Sequence, residues 1–227
     1  MMRIYYLHGF ASSTASTKAA FFAEKLRGHG IKLFAPDLNE PDFSKLTITR
    51  MVEQMTSTID ALPLAKPVVL IGSSLGAFVA VHVARKRSDR VVKMILLAPA
   101  LDFGGKRATP LGDRSLEEWK ATGSTNVFHY GYRRVMPIDY QFFVDACEYD
   151  CADVELPMPI QIFQGRKDTV VAPSAVEQWA NARPNVELHM VDDDHQLAGS
   201  LDSIWGEVER FLRLGASTEG AEGAGRE

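Results

Sequence analysis

The sequence predicts an α/β fold, a mostly parallel sheet covered by helices, and three observations carry that expectation. Short apolar runs alternate with segments of helical periodicity along most of the chain. One run, Val68-Val69-Leu70-Ile71, is continuously apolar, as expected of a strand buried on both faces at the centre of a parallel sheet. Directly after it comes Gly72-Ser73-Ser74-Leu75-Gly76 and then an apolar helical segment, which is the G-x-S-x-G pattern of a tight strand-to-helix turn.

Taken in order, Arg3 to Leu7 reads as the first strand. Ser16 or Thr17 caps a helix that runs to Arg27 and stops at Gly28 or Gly30. Ile31 to Ala35 is a second strand, broken by Pro36. Ile48, Met51, Val52, Met55, Ile59 and Leu62 recur along one helical face. Beyond the Val68 strand, a helix runs from about Leu75 to Arg87, and Val91 to Ala98 is a strand ended by Pro99. The alternation fails between Leu101 and Leu156. It resumes with a strand at Ile160 to Phe163, a helix near Ser174 to Ala182, a strand at Val186 to Val191 and a helix near Leu201 to Leu214. Residues 215–227 are rich in Gly, Ala and Glu without an apolar pattern, so a disordered tail is expected there. The expectation is one α/β domain over residues 1–214, with 101–156 inserted as a lid or cap.

The composition excludes several classes. Of the 227 residues, 46% are hydrophobic and 24% charged, the balance of a globular protein. A formal net charge of -4 offers no broad basic surface to nucleic acid. No apolar run reaches the roughly 18 residues that a membrane span needs. His8-Gly9 cuts the first apolar run too short for a signal peptide, so a cytoplasmic location is expected. Cys147 and Cys151 stand four apart, a spacing that fits one helix face, and are expected as free or buried thiols. With no further Cys or His at ligand spacing, neither a disulfide framework nor a zinc site is expected. No G-x-G-x-x-G follows a strand, so no dinucleotide, and no other cofactor, is expected.

The chemistry centres on Ser74. In a G-x-S-x-G turn the serine oxygen is lifted above the sheet, and glycines on both sides let the strand and the helix pass closely. The helix begins at the serine, so its free N–H groups face the place where an oxyanion would form. Ser73 is the rival nucleophile, at the wrong offset. A serine hydroxyl needs a base. Of six histidines, His29, His82, His129 and His189 fall in a helix end, a helix, the irregular segment and a strand. His195 alone lies in a loop after the last strand, where open parallel sheets build sites and where the order Ser, acid, His puts the base. The acid belongs in the loop after the preceding strand, and Asp168 fits; Asp102, after the strand that ends at Pro99, is its rival. Asp168 would hold the imidazole in one tautomer and stabilise the imidazolium. His8-Gly9-Phe10 closes the first strand, so the N–H of Phe10, with that of Leu75, is the expected oxyanion hole. His8 itself is expected to pack that loop.

Together these motifs (strand-H-G-F, then G-S-S-L-G, then G-x-x-D-x-x-V from Gly165 to Val171, then D-H) resemble the α/β-hydrolase superfamily across nearly the whole chain. The His-Gly motif starts at residue 8, which leaves no room for the two leading strands of larger members. The run from Tyr6 to Lys18, Y-L-H-G-F-x-S-S with a lysine soon after, is similar to small bacterial YqiA-like esterases. Ala77 stands where many of those have a second glycine. The resemblance implies hydrolysis of a small-molecule carboxylic ester or thioester through an acyl-enzyme, without a cofactor. A C–C bond hydrolase or a perhydrolase would use the same triad, and a binding protein of this fold would usually have lost one member of it.

The irregular segment holds Trp119, Phe128, Tyr130, Tyr132, Tyr140, Phe142, Phe143 and Tyr149, with Arg133 and Arg134 among them. A small helical cap with its own core is one expectation. A specificity wall of rings with polar edges is the other, with the arginines placed to pair with a substrate anion. Asp192, Asp193 and Asp194 precede His195. They either favour a charged imidazole or cap the next turn.

Overall fold

A computed structural model describes residues 2–104 and 114–214. In chain order the elements are β1 (Arg3–Leu7), α1 (Thr17–Gly28), β2 (Leu33–Phe34), α2 (Ile48–Asp60), β3 (Val68–Ser73), α3 (Leu75–Lys86), β4 (Val91–Leu97), α4 (Leu116–Thr122), β5 (Ser124–His129), β6 (Arg134–Asp139), α5 (Gln141–Ala146), β7 (Ile160–Gly165), α6 (Pro173–Asn181), β8 (Val186–Val191) and α7 (Leu201–Leu212). The expected tail, residues 215–227, and part of the expected insertion, residues 105–113, lie outside the described residues.

Six strands form one sheet in the order β2-β1-β3-β4-β7-β8, and all its pairings are parallel. Because strand side chains alternate, the sheet divides its apolar residues between two cores. Tyr5, Leu7, Val68, Leu70, Met94, Leu96, Ile160 and Ile162 face α2, α3 and α6. Ile4, Tyr6, Val69, Ile71, Ile95, Leu97 and Phe163 face α1 and α7. β3 is buried at every position, as its unbroken apolar run required. The register aligns Leu7, Gly72, Leu96, Ile162 and Leu188 across the sheet. The carboxyl ends of the strands therefore open on one edge, and the strand order reverses between β1 and β3, where open sheets place their crevice.

The helix starts follow from local capping. The Ser16 side chain accepts from the Ala19 N–H at the start of α1, and the Thr47 side chain accepts from the Arg50 N–H at the start of α2. β2 is shorter than its apolar run suggests. The Ile31 N–H turns back to the Leu26 carbonyl at 3.0 Å, closing the end of α1, so that residue is not available to the sheet. Only Leu33 and Phe34 pair with β1 before Pro36.

The irregular segment contains a hairpin that the aromatic pattern did not reveal. β5 and β6 pair antiparallel, with Val127 opposite Met136. Along β5, Thr125, Val127 and His129 are buried while Asn126 and Phe128 are exposed, the alternation of a half-buried strand. Pro137 disguises β6 in the sequence, but a two-stranded ribbon has edges that tolerate proline. α4 caps the hairpin: the Trp119 indole N–H donates to the Ile138 carbonyl at 3.1 Å. At the hairpin's tip the Gly131 N–H donates to the Ala11 carbonyl at 3.3 Å, fastening the hairpin to the loop after β1.

The two cysteines are free and do not share a helix face. Cys147 follows α5 and is exposed, whereas Cys151 lies in the next loop and is buried. The Cys151 Sγ sits 3.4 Å from His82 Nε2 on α3. Burial pushes His82 down to about 4. Its lowered pKa makes the folded state disfavour the proton relative to the unfolded chain, so stability falls as pH drops from about 6.5 toward 4.

α3 and β1 approach each other closely. A Cβ placed on Gly76 would lie 2.1 Å from the Leu7 carbonyl oxygen and 2.6 Å from that of His8. Gly76→Ala is expected to lower the free energy of unfolding by at least about 1–3 kcal/mol, measured by urea denaturation. A variant of unchanged stability would mean that helix and strand separate at no cost.

Candidate active site

At the carboxyl edge, the turn from β3 into α3 holds Ser74 at φ 53°, ψ -118°, a backbone conformation that non-glycine residues rarely adopt. Neighbouring glycines make this turn possible. A Cβ on Gly72 would lie 2.5 Å from the Ala77 Cα, so helix and strand touch where the two chains cross. Ala77 is itself fully buried in that contact. The Ser74 carbonyl accepts the Ala77 and Phe78 N–H groups at 3.0 and 3.3 Å, and the Ser74 N–H donates to Leu97 on β4 at 3.0 Å. Ser73, the rival, is 3% exposed.

His195 Nε2 lies 3.1 Å from Ser74 Oγ, and its Nδ1 lies 2.8 Å from Asp168 Oδ2. An ionised carboxylate only accepts, so Nδ1 carries the proton and Nε2 is left as the acceptor for the serine O–H. The Asp168 side chain is fully buried, and its oxygens are saturated. Oδ1 accepts the Val170 and Val171 N–H groups at 2.8 and 2.9 Å, while Oδ2 accepts Gln164 Nε2 at 2.9 Å besides the imidazole. Burial pushes the Asp168 pKa up, but these hydrogen bonds outweigh it and hold the carboxyl below the ordinary range. Asp102 instead lines a cavity of about 740 Å³ between α6 and the chain after α5, together with Cys147, Tyr149, Trp179 and Arg183. None of Ser74, Asp168 and His195 lines that cavity.

The other expected residues fall as follows. The loop after β1 passes over the serine: a Cβ on Gly9 would lie 3.4 Å from Ser74 Cβ. The N–H groups of Phe10 and Leu75 have no acceptor among the described residues. His8 anchors the loop. Its Nε2 accepts the Leu38 N–H at 3.0 Å and its Nδ1 lies 2.9 Å from the Gly9 carbonyl. Asp37 Oδ1 stands 3.3 Å from the same Nε2 and accepts the Asn39 N–H at 2.9 Å. His29 pairs with Glu209, His189 stacks on Phe163, and His129 stacks on Tyr132 with ring centroids 4.0 Å apart. Of the segment's aromatics, Trp119 and Phe142 are core. Phe10, on the loop that passes over the serine, opens a continuous set of rings: it lies 5.6 Å from Phe43 and 5.5 Å from Phe142, which lies 5.8 Å from Phe103. Arg133 and Arg134 are exposed on the hairpin.

The acidic run before the base is used locally. Asp192 pairs with Lys167 at 2.8 Å. Asp193 Oδ1 accepts the Asp194 N–H at 2.8 Å, and Asp194 Oδ1 accepts the Gln196 N–H at 2.7 Å. Two further residues reach the site. Gln164 reads in the sequence as one polar residue at a strand end. Lys18, named there only as the lysine that closes the run from Tyr6, heads the buried stripe Lys18, Phe22, Leu26 on α1. Its Nζ donates to the His195 and Gln196 carbonyls at 3.3 and 3.1 Å.

A parallel sheet with this strand order, a serine at a positive-φ strand-to-helix turn and a histidine–carboxylate pair beside it define the α/β-hydrolase class. Solved structures agree on the fold. Est1E from Butyrivibrio proteoclasticus, with ferulic acid bound, superposes with a TM-score of 0.80 at 17% identity over 94% of this chain and 88% of that one. Mouse alpha/beta hydrolase domain-containing protein 10 gives a TM-score of 0.75 at 21% identity, covering 92% of this chain and 89% of that one. In sequence, human mitochondrial palmitoyl-protein thioesterase ABHD10 is 25% identical over 211 residues, 88% of this chain and 68% of that one. The family model for uncharacterised protein family UPF0227 matches residues 3–211, and the chain belongs to that family.

The saturation of Asp168 generates a test. Asp168→Asn is expected to lower kcat on any hydrolysed ester by roughly 10⁴-fold, the effect of the analogous change in another triad, while Asp102→Asn leaves it near the parent value. Reversed results would move the acid to the loop after β4.

Proposed function

We propose that this protein is a serine hydrolase that cleaves carboxylic esters or thioesters through an acyl-enzyme. The reading rests above all on one unbroken hydrogen-bonded line, Asp168 Oδ2 to His195 Nδ1 at 2.8 Å and His195 Nε2 to Ser74 Oγ at 3.1 Å, ending at a serine raised on a strained turn. His195 takes the Ser74 proton as Oγ attacks the acyl carbon, and Asp168 stabilises the imidazolium that results. The N–H groups of Phe10 and Leu75, free of other acceptors among the described residues, receive the oxyanion. His195 then protonates the departing alcohol or thiol. A water molecule, deprotonated by the same imidazole, releases the acid.

Phe10, whose N–H is one of the two oxyanion donors proposed, carries an apolar ring packed against Phe43 and Phe142, which favours an apolar acyl group beside the oxyanion hole. The names of the relatives, a palmitoyl-protein thioesterase and an esterase structure with ferulic acid bound, support ester-type chemistry at a carbonyl. Among the described residues no helix is long and apolar enough to cross a membrane.

Ser74→Ala is expected to remove on the order of 10⁶-fold of kcat while the circular-dichroism spectrum and melting curve stay close to the parent's. A fluorophosphonate is expected to label Ser74 in the parent. Assays on short-chain and long-chain acyl esters and on acyl thioesters locate the preferred substrate. Full activity in Ser74→Ala, or its loss in Ser73→Ala alone, would place the nucleophile elsewhere.

A further inference from the structure

Lys18 occupies a position that neither helix formation nor packing explains. It is the second residue of α1, where a cation meets the positive end of the helix dipole. It is also 8% exposed, and burying an ammonium is unfavourable unless its donors and charge are both satisfied. Leucine or methionine would serve the stripe it shares with Phe22 and Leu26 better. What the ammonium does have is partners on the loop of the base. Its Nζ donates to the main-chain carbonyls of His195 at 3.3 Å and of Gln196 at 3.1 Å.

That loop needs a restraint. It begins where a Cβ on Gly165 would meet the Asp193 and Asp194 carbonyls at 2.4 and 2.5 Å, so it crosses the end of β7 in van der Waals contact. It then reverses at Leu197, a non-glycine residue at φ 56°. Between these points the turn closes on itself, the Gln196 N–H donating to Asp194 Oδ1 at 2.7 Å and the Leu197 N–H to the Asp194 carbonyl at 3.3 Å, and the His195 and Gln196 carbonyls are left for a donor from outside the loop.

We infer that Lys18 is a positioning residue for His195: its charged amine, from α1, holds the two carbonyls that set the imidazole between Ser74 and Asp168. The inference rests on the proposed catalytic role of His195. It also gives a use to the acidic run. The carboxylates facing the amine are Asp168 from the loop after β7 and Asp193 and Asp194 from the loop after β8. They supply the counter-charge that keeps a buried lysine protonated, and the lysine in turn ties their loop to α1.

Burial pushes the Lys18 amine down to about 8, against the three carboxylates, which push it up. Below that pH the ammonium makes charge-assisted hydrogen bonds, which are roughly twice as strong as neutral ones. Above it the neutral amine holds the loop more weakly. The sign is therefore a loss of activity as pH rises through about 8.

The test is kcat and KM on a neutral short-chain ester across this pH range, for the parent, Lys18→Met, Lys18→Arg and Ser74→Ala. The parent is expected to step down near pH 8. Lys18→Met is expected to lose roughly 10- to 100-fold in kcat, the scale of a misplacement near 1 Å, with KM little changed and no step. Lys18→Arg, charged throughout, is expected to recover much of that kcat, also without the step. A folded Lys18→Met with parental kcat and pH profile overturns the inference. If Lys18→Met does not fold, a parent without the step, or a step that persists in Lys18→Arg, overturns it equally. Loss of activity in Ser74→Ala together with an unaffected Lys18→Met removes only the lysine's role. Parental activity in Ser74→Ala removes the reading of the site and this inference with it.

Discussion

The crossing of β3 and α3 is the constraint on which the rest of the structure depends. Ser74 can stand above the sheet only if the chain reverses within one residue, and that reversal brings Gly72 against Ala77 and Gly76 against the end of β1. Any side chain at either glycine would push helix and strand apart. The positive φ at Ser74 stores strain on the order of 1–3 kcal/mol. Ser74 itself is held by main-chain hydrogen bonds on two sides, to α3 and to β4. Because Gly76 rests on the Leu7 and His8 carbonyls, the same contact fixes where β1 ends. It thereby places Gly9 and Phe10 over the serine.

Around that crossing, the loops of the carboxyl edge are fastened by polar contacts, some within the loop and some from elements distant in sequence. The ring of His8 joins the loop after β1 to Leu38. The hairpin tip is tied to the same loop through Gly131 and Ala11. Gln164 and two main-chain N–H groups hold the Asp168 carboxylate, and Lys18 holds the His195 loop. A buried carboxylate with all its lone pairs filled, and a buried ammonium with carboxylates facing it, are costly to form singly and mutually supportive together. Precision at the serine thus comes from polar contacts, whereas the two apolar cores supply only the platform.

Packing around Phe10, a residue of the loop after β1, joins the sheet to the irregular segment. Its ring lies 5.6 Å from Phe43, in the turn before α2, and 5.5 Å from Phe142 on α5. Phe43 and Phe142 are core residues, so the loop that passes over the serine is held in place by rings that lie far apart in the chain.

By itself the sequence determined what depends on near neighbours. Short apolar runs and helical periods marked β1, β3, β8, α2 and α3 almost to their ends, since burial of a strand on both faces or of a helix on one imposes those patterns directly. The glycines around Ser74, and the placing of Asp168 and His195 after successive strands, were legible because each is a local requirement of a strand end. The β5–β6 hairpin was not legible: Pro137 masked a strand whose partner only the fold supplies. Nor was the division of the aromatics between core and surface, because ring contacts such as Phe10 with Phe142 join residues far apart in the chain. Lys18 shows the limit most clearly. As sequence it is one lysine in a helix, and its meaning depends on two carbonyls about 178 residues away, which only the docking of α1 against the end of the sheet brings within a hydrogen bond.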